Sequence, residues 1–290
     1  MKKFIAALVL AIVLAGCTST ESAQIVATTL PVYEFTSRIC QGTDLKVTRL
    51  ITESVSCLHD YSLQVSQMQA LEGATVTIIN GAGLEMFLDD VLHHSGTTID
   101  ASSGIELHCP EDAHGHSHDH EGHHHEQDSH IWLSPRHAMV MAQNICDGLV
   151  KQYPNQKDLF ETNLQSLLDD LQRLQTYAEN QLEALRCRKI ITFHDGFGYF
   201  AEEFDLTILR AVEEESGSEA SAAELIELIQ MVEGHRLPAI FTETNGADSA
   251  AKTIASETGC RIFTLDMAMA GDSYFDAMYH NIDTIKEALG

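Results

Sequence analysis

Basic residues are scarce in this sequence of 290 residues. It holds 17 Lys and Arg against 43 Asp and Glu, which gives a formal net charge of −26 at pH 7. Binding to nucleic acid through its phosphates requires clustered Lys and Arg side chains, so the composition excludes nucleic acid as a partner. An acidic surface can attract cations, but it more often only keeps a protein soluble. The charge therefore excludes partners without identifying one.

A long hydrophobic run is also absent. The longest one covers residues 4–15, whereas a membrane-spanning helix needs about 20 apolar residues. Because two lysines precede this run, it has the form of the apolar region of a secretory signal peptide. It closes on Leu14-Ala15-Gly16-Cys17, which resembles a bacterial lipobox and implies cleavage before Cys17 and lipidation of that cysteine. We predict a signal peptide over 1–16, a lipidated tether over 17–23, and an extracytoplasmic, membrane-anchored lipoprotein at the cell surface or in the periplasm.

The seven cysteines form no C-x-x-C pair. A cysteine zinc knuckle and a thioredoxin-type motif are therefore unsupported. Six cysteines follow the proposed lipidation site, and an even number in an exported chain favours disulfides, although sequence alone does not resolve their connectivity. From their positions before strands or in loops, the predicted pairs are Cys187 with Cys260 and Cys57 with Cys109, with Cys40 and Cys146 left over.

Strand-like runs alternate with helical patterns through the rest of the chain. This alternation predicts an α/β protein of two lobes, each with a parallel sheet flanked by helices. The predicted strands are 25–29, 45–51, 74–79 and 97–100 in the first half, and 189–193, 206–212, 239–242 and 261–265 in the second. The predicted helices between them include 62–71, 84–92, 220–233 and 248–258.

A long helical pattern joins the two halves. Pro154-Asn155 is a helix start signal with Asn155 as N-cap, and apolar residues then recur at the spacing of one helix face. At ~1.5 Å per residue, residues 156–185 would extend about 45 Å. We predict a rigid linking helix over 154–185. It separates an N-terminal lobe over 24–153, which includes a His-rich loop at 108–129, from a C-terminal lobe over 186–290.

Three histidines lie just beyond a predicted strand or in a loop: His59, His130 and His194. Asp266 directly follows the last predicted strand. Ligands of open α/β sheets bind outside the carboxyl ends of strands, so these four side chains can converge between the lobes. Three imidazoles and one carboxylate make a tetrahedral shell that suits Zn(II). The sequence therefore predicts a zinc site and no catalytic residue.

Several motifs resemble those of the zinc and manganese solute-binding lipoproteins of ABC transporters, the family of high-affinity zinc uptake proteins. The matching segments are Leu58-His59-Asp60-Tyr61, Ile79-Asn80-Gly81-Ala82-Gly83-Leu84-Glu85, His130-Ile131-Trp132-Leu133-Ser134-Pro135, Thr192-Phe193-His194-Asp195 and Glu257-Thr258-Gly259. The resemblance implies two α/β lobes linked by one long helix. It also implies a metal held between them by His59, His130, His194 and Asp266.

The third ligand position bears on which metal is bound. Manganese members of the family tend to carry a carboxylate where this chain has His194, and imidazole favours Zn(II). The chain departs from the family around the other ligands, with Ser129 and Ser134 flanking the His130 motif and Cys57 close to His59. These departures affect the expected contacts around the ligands more than the ligands themselves.

Nine of the 16 histidines fall between His108 and His130. This segment is rich in Gly, Asp and Ser and has no apolar face, so we expect a mobile loop that binds metal loosely. Its auxiliary metal-binding candidates are His114, His116, His118, His120, His123, His124 and His125. The stretch from His120 to His124 matches H-E-x-x-H, but Gly122 argues against the helix that this pattern requires, so we interpret the match as accidental.

The favoured function is capture of Zn(II) and its delivery to an ABC-type permease by a monomer. An extracytoplasmic zinc hydrolase is an alternative, because three histidines around zinc also support an activated water. As a fourth protein ligand Asp266 would close the shell, whereas its absence would leave an open position. A surface metal buffer or adhesin, dominated by the His-rich loop, is a third possibility that deletion of the loop would distinguish.

Overall fold

The computed structural model describes residues 24–53, 58, 61–92, 96–108, 127–212, 220–244, 246 and 248–290. Within them the chain forms two α/β lobes, each built on a four-stranded parallel sheet flanked by helices. The predicted fold class is therefore confirmed. In these described parts, no helix is long and apolar enough to cross a membrane.

The N-terminal lobe has the sheet order β2-β1-β3-β4. Its strands are β1 (Gln24–Ala27), β2 (Lys46–Arg49), β3 (Val76–Ile79) and β4 (Thr97–Asp100). Its helices are α1 (Leu30–Ile39), α2 (Val65–Glu72), α3 (Asp89–Leu92) and α4 (Pro135–Gln152), with short 3-10 turns at Met86–Leu88 and Ile131–Leu133. All four predicted strands of this half are present; β4 has the predicted bounds, and the other three differ slightly.

The two lobes are joined by α5 (Lys157–Leu182), which has 26 residues. Its buried side chains include Phe160, Leu164, Leu167, Leu171 and Leu174 of the predicted apolar face. The prediction that Asn155 caps this helix is wrong, because Pro154–Gln156 forms a 3-10 turn and Gln156 is the N-cap. The fixed φ of Pro154 suits the first position of that turn, which places Asn155 inside it.

The C-terminal lobe has the sheet order β6-β5-β7-β8. Its strands are β5 (Lys189–Thr192), β6 (Thr207–Ala211), β7 (Ala239–Glu243) and β8 (Arg261–Leu265), which confirms the predicted set. Its helices are α6 (Gly198–Glu203), α7 (Ala222–His235), α8 (Ser249–Thr258) and α9 (Tyr274–Leu289). Every residue of β7 is buried, as expected for a central strand of a parallel sheet covered on both faces.

One hydrophobic core runs through both lobes. It includes Ile25 and Val26 of β1, the buried face of α5, and Phe241 and Leu265 of the second sheet. α5 packs against α1 and α4 of the N-terminal lobe and against α9 of the C-terminal lobe. A smaller core, formed in part by Ile191 and Ile240, lies on the other face of the second sheet. Because the two lobes share a core, residues at their junction are held in a defined arrangement.

The predicted pairing of Cys187 with Cys260 is wrong, since both are free thiols. β7 lies between the strands that these cysteines precede, so two strand spacings, about 10 Å, separate them, which is beyond the reach of a disulfide. Cys57 and Cys109 lie outside the described residues. Cys40 and Cys146 are free and buried. Burial raises the pKa of Cys40 to about 12 and that of Cys146 to about 11, so both stay protonated at neutral pH.

Candidate metal centre

Three acidic or imidazole side chains lie at the carboxyl ends of adjacent strands in the second sheet. His194 comes two residues after β5, Glu243 is the last residue of β7, and Asp266 directly follows β8. Since β5, β7 and β8 are neighbours in that order, Glu243 lies on the strand between those that carry the other two. His194 and Glu243 are both buried.

His130 comes from the N-terminal lobe and meets His194 at the junction. It is the N-cap of the 3-10 turn Ile131–Leu133, directly before α4, and it is buried. Its Nε2 atom lies 3.3 Å from the Nε2 atom of His194, and the two rings are nearly perpendicular. The structure therefore brings two of the four predicted ligands together.

The two remaining ring nitrogens face carboxylates. His130 Nδ1 lies 2.8 Å from Asp128 Oδ1, which also accepts a hydrogen bond from the backbone N–H of His130. His194 Nδ1 lies 3.5 Å from Glu243 Oε2. A carboxylate at Nδ1 favours the tautomer that carries its proton there, which directs an Nε2 lone pair at the opposite side of the ring. Both Nε2 atoms are then available to bind a metal ion at the junction of the lobes.

The separation of these nitrogens fits a tetrahedral zinc ion. With Zn–N bonds of about 2.05 Å, two ligands at a tetrahedral angle have nitrogens about 3.3 Å apart. The observed Nε2–Nε2 distance is 3.3 Å. Glu243 lies on the Nδ1 side of His194, away from this position, so its geometry suits orienting the imidazole rather than ligating the metal.

Asp266 is held firmly by its surroundings. Its backbone N–H donates to Asn281 Oδ1 and its carbonyl accepts from Asn281 Nδ2, at 2.8 and 2.7 Å. Its Oδ1 atom accepts a hydrogen bond from the backbone N–H of Ala268. Across the described parts of the chain, no group of three His, Cys, Asp or Glu side chains has the geometry to hold a metal. His59 lies outside the described residues, as do Cys17 and the seven auxiliary histidines.

The backbone is close to both rings at Gly196. A Cβ atom there would lie 2.9 Å from His194 Cδ2, 3.0 Å from His130 Cδ2 and 2.5 Å from the end of the Met267 side chain. Only glycine fits at this approach. Met267 and Trp132, whose ring centroid lies 5.2 Å from that of His130, give the imidazoles an apolar surrounding. Such surroundings strengthen the interaction of a charged ion with its ligands.

A buried carboxylate supports the N-terminal side of the site. Glu85 accepts hydrogen bonds from Thr28 Oγ1 and from the backbone N–H groups of Asn80 and Gly81, at 2.6 to 3.0 Å. Asn80 Nδ2 in turn donates to the carbonyl of Ser129, next to His130. Burial raises the pKa of Glu85 to about 7. Ser129, which departs from the family pattern, thus takes part in this network through its backbone carbonyl.

The ends of the His-rich segment are tied to the C-terminal lobe. The backbone N–H of Asp128 donates to the carbonyl of His108, which joins the two ends. The hydroxyl of Tyr199 in α6 accepts from the His108 N–H and donates to the Asp128 carbonyl. Asp128 therefore connects the end of that segment to the ring of His130.

Sequence reasoning missed both orienting carboxylates. Asp128 could have been found as an acid two residues before a predicted ligand. Glu243 could have been found as a carboxylate ending an otherwise apolar run, but the predicted strand stopped at Thr242. Its contact with His194 depends on β5 and β7 being neighbours.

Two parallel-sheet lobes joined by one long helix, with imidazoles from both lobes meeting at the junction, define a two-lobed metal-binding protein. The family model described as "Zinc-uptake complex component A periplasmic" matches residues 25–288. The chain belongs to this family, the extracytoplasmic solute-binding components of zinc-uptake ABC transporters. A model for the prokaryotic membrane lipoprotein lipid attachment site matches residues 1–18. The chain is thus an extracytoplasmic, membrane-anchored lipoprotein, as its sequence predicted.

Named relatives agree with this assignment. The chain is 30% identical over 284 residues to the high-affinity zinc uptake system protein ZnuA of Bacillus subtilis, covering 91% of this chain and 87% of the relative. It is 29% identical to the zinc-binding lipoprotein AdcA of Streptococcus pneumoniae over 96% of this chain, but spans only 58% of that relative.

Solved structures share the fold. A crystal structure of ZnuA has a TM-score of 0.80 at 28% identity, covering 93% of this chain and all (100%) of the other. The Zn(II)-bound ZnuA-like domain of Streptococcus pneumoniae AdcA has a TM-score of 0.77 at 25% identity, covering 92% of this chain and 99% of that domain. The predicted architecture and family are both confirmed.

Proposed function

We propose that this lipoprotein captures one Zn(II) ion between its lobes through His59, His130, His194 and Asp266, and delivers it to the permease of an ABC importer. The observation that carries the proposal is the pair of buried imidazoles from opposite lobes, with their Nε2 atoms 3.3 Å apart. Asp128 and Glu243 at the far side of each ring support this role, because orienting carboxylates are typical partners of metal-ligating histidines.

Zinc fits this ligand set better than manganese. Carboxylate and water ligands suit Mn(II), whereas imidazole suits Zn(II), and Mn(II) is the most weakly bound ion of the first-row divalent series. The relatives named as zinc-uptake and zinc-binding proteins favour the same ion. We therefore expect manganese to compete only weakly for the site.

Asp266 is proposed to complete the tetrahedral shell. It directly follows β8, the neighbour of the strand β7 that ends at Glu243, and its backbone is fixed by Asn281. A fourth protein ligand leaves no position for a reactive water, which favours transport over hydrolysis. The coordination shell of the carried ion is then completed by protein ligands from both lobes.

Metal binding to the purified protein tests the proposal directly. Protein lacking residues 1–16 is stripped of metal with a chelator and titrated with Zn(II) in the presence of a coloured competing chelator. We expect one tight site that withstands competition, and a much weaker response to Mn(II). Absence of a tight zinc site, or preference for Mn(II), would contradict the proposed function.

A further inference from the structure

The segment that follows Asp266 is held by the opposite lobe at three alternate carbonyls. The Met267 carbonyl accepts a hydrogen bond from Trp132 Nε1 at 2.7 Å. The Met269 and Gly271 carbonyls accept from the two terminal nitrogens of Arg49, at 3.2 and 2.7 Å. Both donors belong to the N-terminal lobe, so residues 267–271 form an interlobe contact made by named side chains.

Arg49 is well placed to act as a fixed donor. It is the last residue of β2, and its Nε atom donates to the carbonyl of Ile51 at 2.6 Å, which orients the guanidinium. The planar guanidinium presents its N–H groups in a rigid fork, so the two terminal nitrogens can serve two carbonyls at once. Hydrogen bonds from a charged donor are stronger than those from neutral groups.

The held segment is continuous with the proposed fourth ligand. Asp266 Oδ1 accepts from the Ala268 N–H, so the carboxylate is tied to the segment that Arg49 holds. Ala268 has a φ of +55°, a left-handed conformation that an alanine adopts only where its surroundings maintain it. Met267 of the same segment reaches the Gly196 position between the two imidazoles.

We propose that Arg49 is a positioning residue for zinc retention: together with Trp132 it holds residues 267–271 against the N-terminal lobe and thereby fixes Asp266 relative to His130. The proposal rests on the proposed function, since it takes Asp266 as a ligand. A site whose ligands come from two lobes releases its ion when the lobes or their loops separate. Arg49 makes two of the three hydrogen bonds that hold residues 267–271 against the N-terminal lobe.

The rate of zinc release tests this role. The zinc-loaded Arg49→Gln protein is mixed with excess coloured chelator and the release rate is followed, and the association rate is measured separately. We expect release to be about tenfold faster or more, with association changed by less than about twofold, because loss of interlobe hydrogen bonds acts mainly on dissociation.

Arg261→Gln is the matched control. Arg261 also donates to two carbonyls, those of Glu287 and Ala288, but both partners are in its own lobe. This variant should release zinc at the wild-type rate. Equal acceleration in both variants would overturn the proposal, because it would reflect a general loss of stability.

A double substitution tests whether Arg49 acts through Asp266. In an Asp266→Ala background, Arg49→Gln should change the release rate by less than about twofold, since the group that it positions is gone. An undiminished effect in that background, or a wild-type release rate for Arg49→Gln alone, would overturn the proposal. Wild-type protein that binds no zinc would instead overturn the proposed function on which it rests.

Discussion

Glu243→Gln is expected to weaken zinc binding although Glu243 is not a proposed ligand. The substitution keeps the shape of the side chain and removes the charge that faces His194 Nδ1 at 3.5 Å. Two unit charges at that distance interact by about 5 kcal/mol at an effective dielectric constant of about 20. Metal binding places only part of a unit charge on the imidazole, so the expected loss is smaller. Loss of such an orienting partner costs about 10- to 100-fold in metal affinity, or about 1.4 to 2.7 kcal/mol.

The assay is competition with a chelator of known zinc affinity, using metal-free protein. Glu179→Gln is the control: Glu179 is an exposed residue of α5 whose carboxylate accepts a hydrogen bond from Gln175, and its neutralisation should leave the affinity unchanged. An affinity within about threefold of wild type for Glu243→Gln would refute the orienting role. A complete loss of the tight site would also refute it, because it would identify Glu243 as a ligand.

Three further predictions concern the anchor, the His-rich segment and the buried carboxylate. Cys17→Ala should leave the membrane fraction with its zinc site intact, and continued membrane association would show another anchor. Deletion of residues 109–126 keeps both partners of the His108–Asp128 backbone hydrogen bond. It should lower the total zinc bound at high zinc concentration but retain one tight site. Loss of the tight site would show that the segment supplies a primary ligand. Burial raises the pKa of Glu85 from 4.5 to about 7, so the folded protein holds this proton between those pH values while the unfolded chain loses it. The contribution of Glu85 to the free energy of unfolding therefore falls by up to about 3 kcal/mol as the pH rises through that window. Denaturant unfolding at pH 5 and pH 8 should therefore show a smaller decrease for Glu85→Gln than for wild type, and equal decreases would contradict this.

The sequence predicted the strands well because β-branched and apolar residues cluster in short runs that alternate with helical patterns. The bounds of β8 and β4 agree with the prediction, and α5 follows its apolar face closely. The predictions failed where they depended on the order of the strands in the sheet. The spacing of Cys187 and Cys260 along the chain carries no information on β7, which lies between their strands.

Part of the metal centre could also be predicted from the sequence. His130 and His194 could be proposed because each lies beyond a strand end or in a loop, and the family resemblance named the same positions. Glu243 and Arg49 could not be placed in this way. Glu243 needs the adjacency of β5 and β7, and the contact of Arg49 with Gly271 joins residues far apart in the chain and on different lobes.

Zinc binding by His194→Ala tests the central claim most directly. His280→Ala is its control, since His280 is an exposed histidine of α9 in the same lobe whose Nε2 lies near the Thr264 carbonyl. Competition titration with metal-free protein should show that His280→Ala keeps one tight zinc site and that His194→Ala loses most high-affinity binding, because the remaining groups cannot complete a tetrahedral shell. Unchanged stoichiometry and affinity in His194→Ala would contradict the proposed metal site.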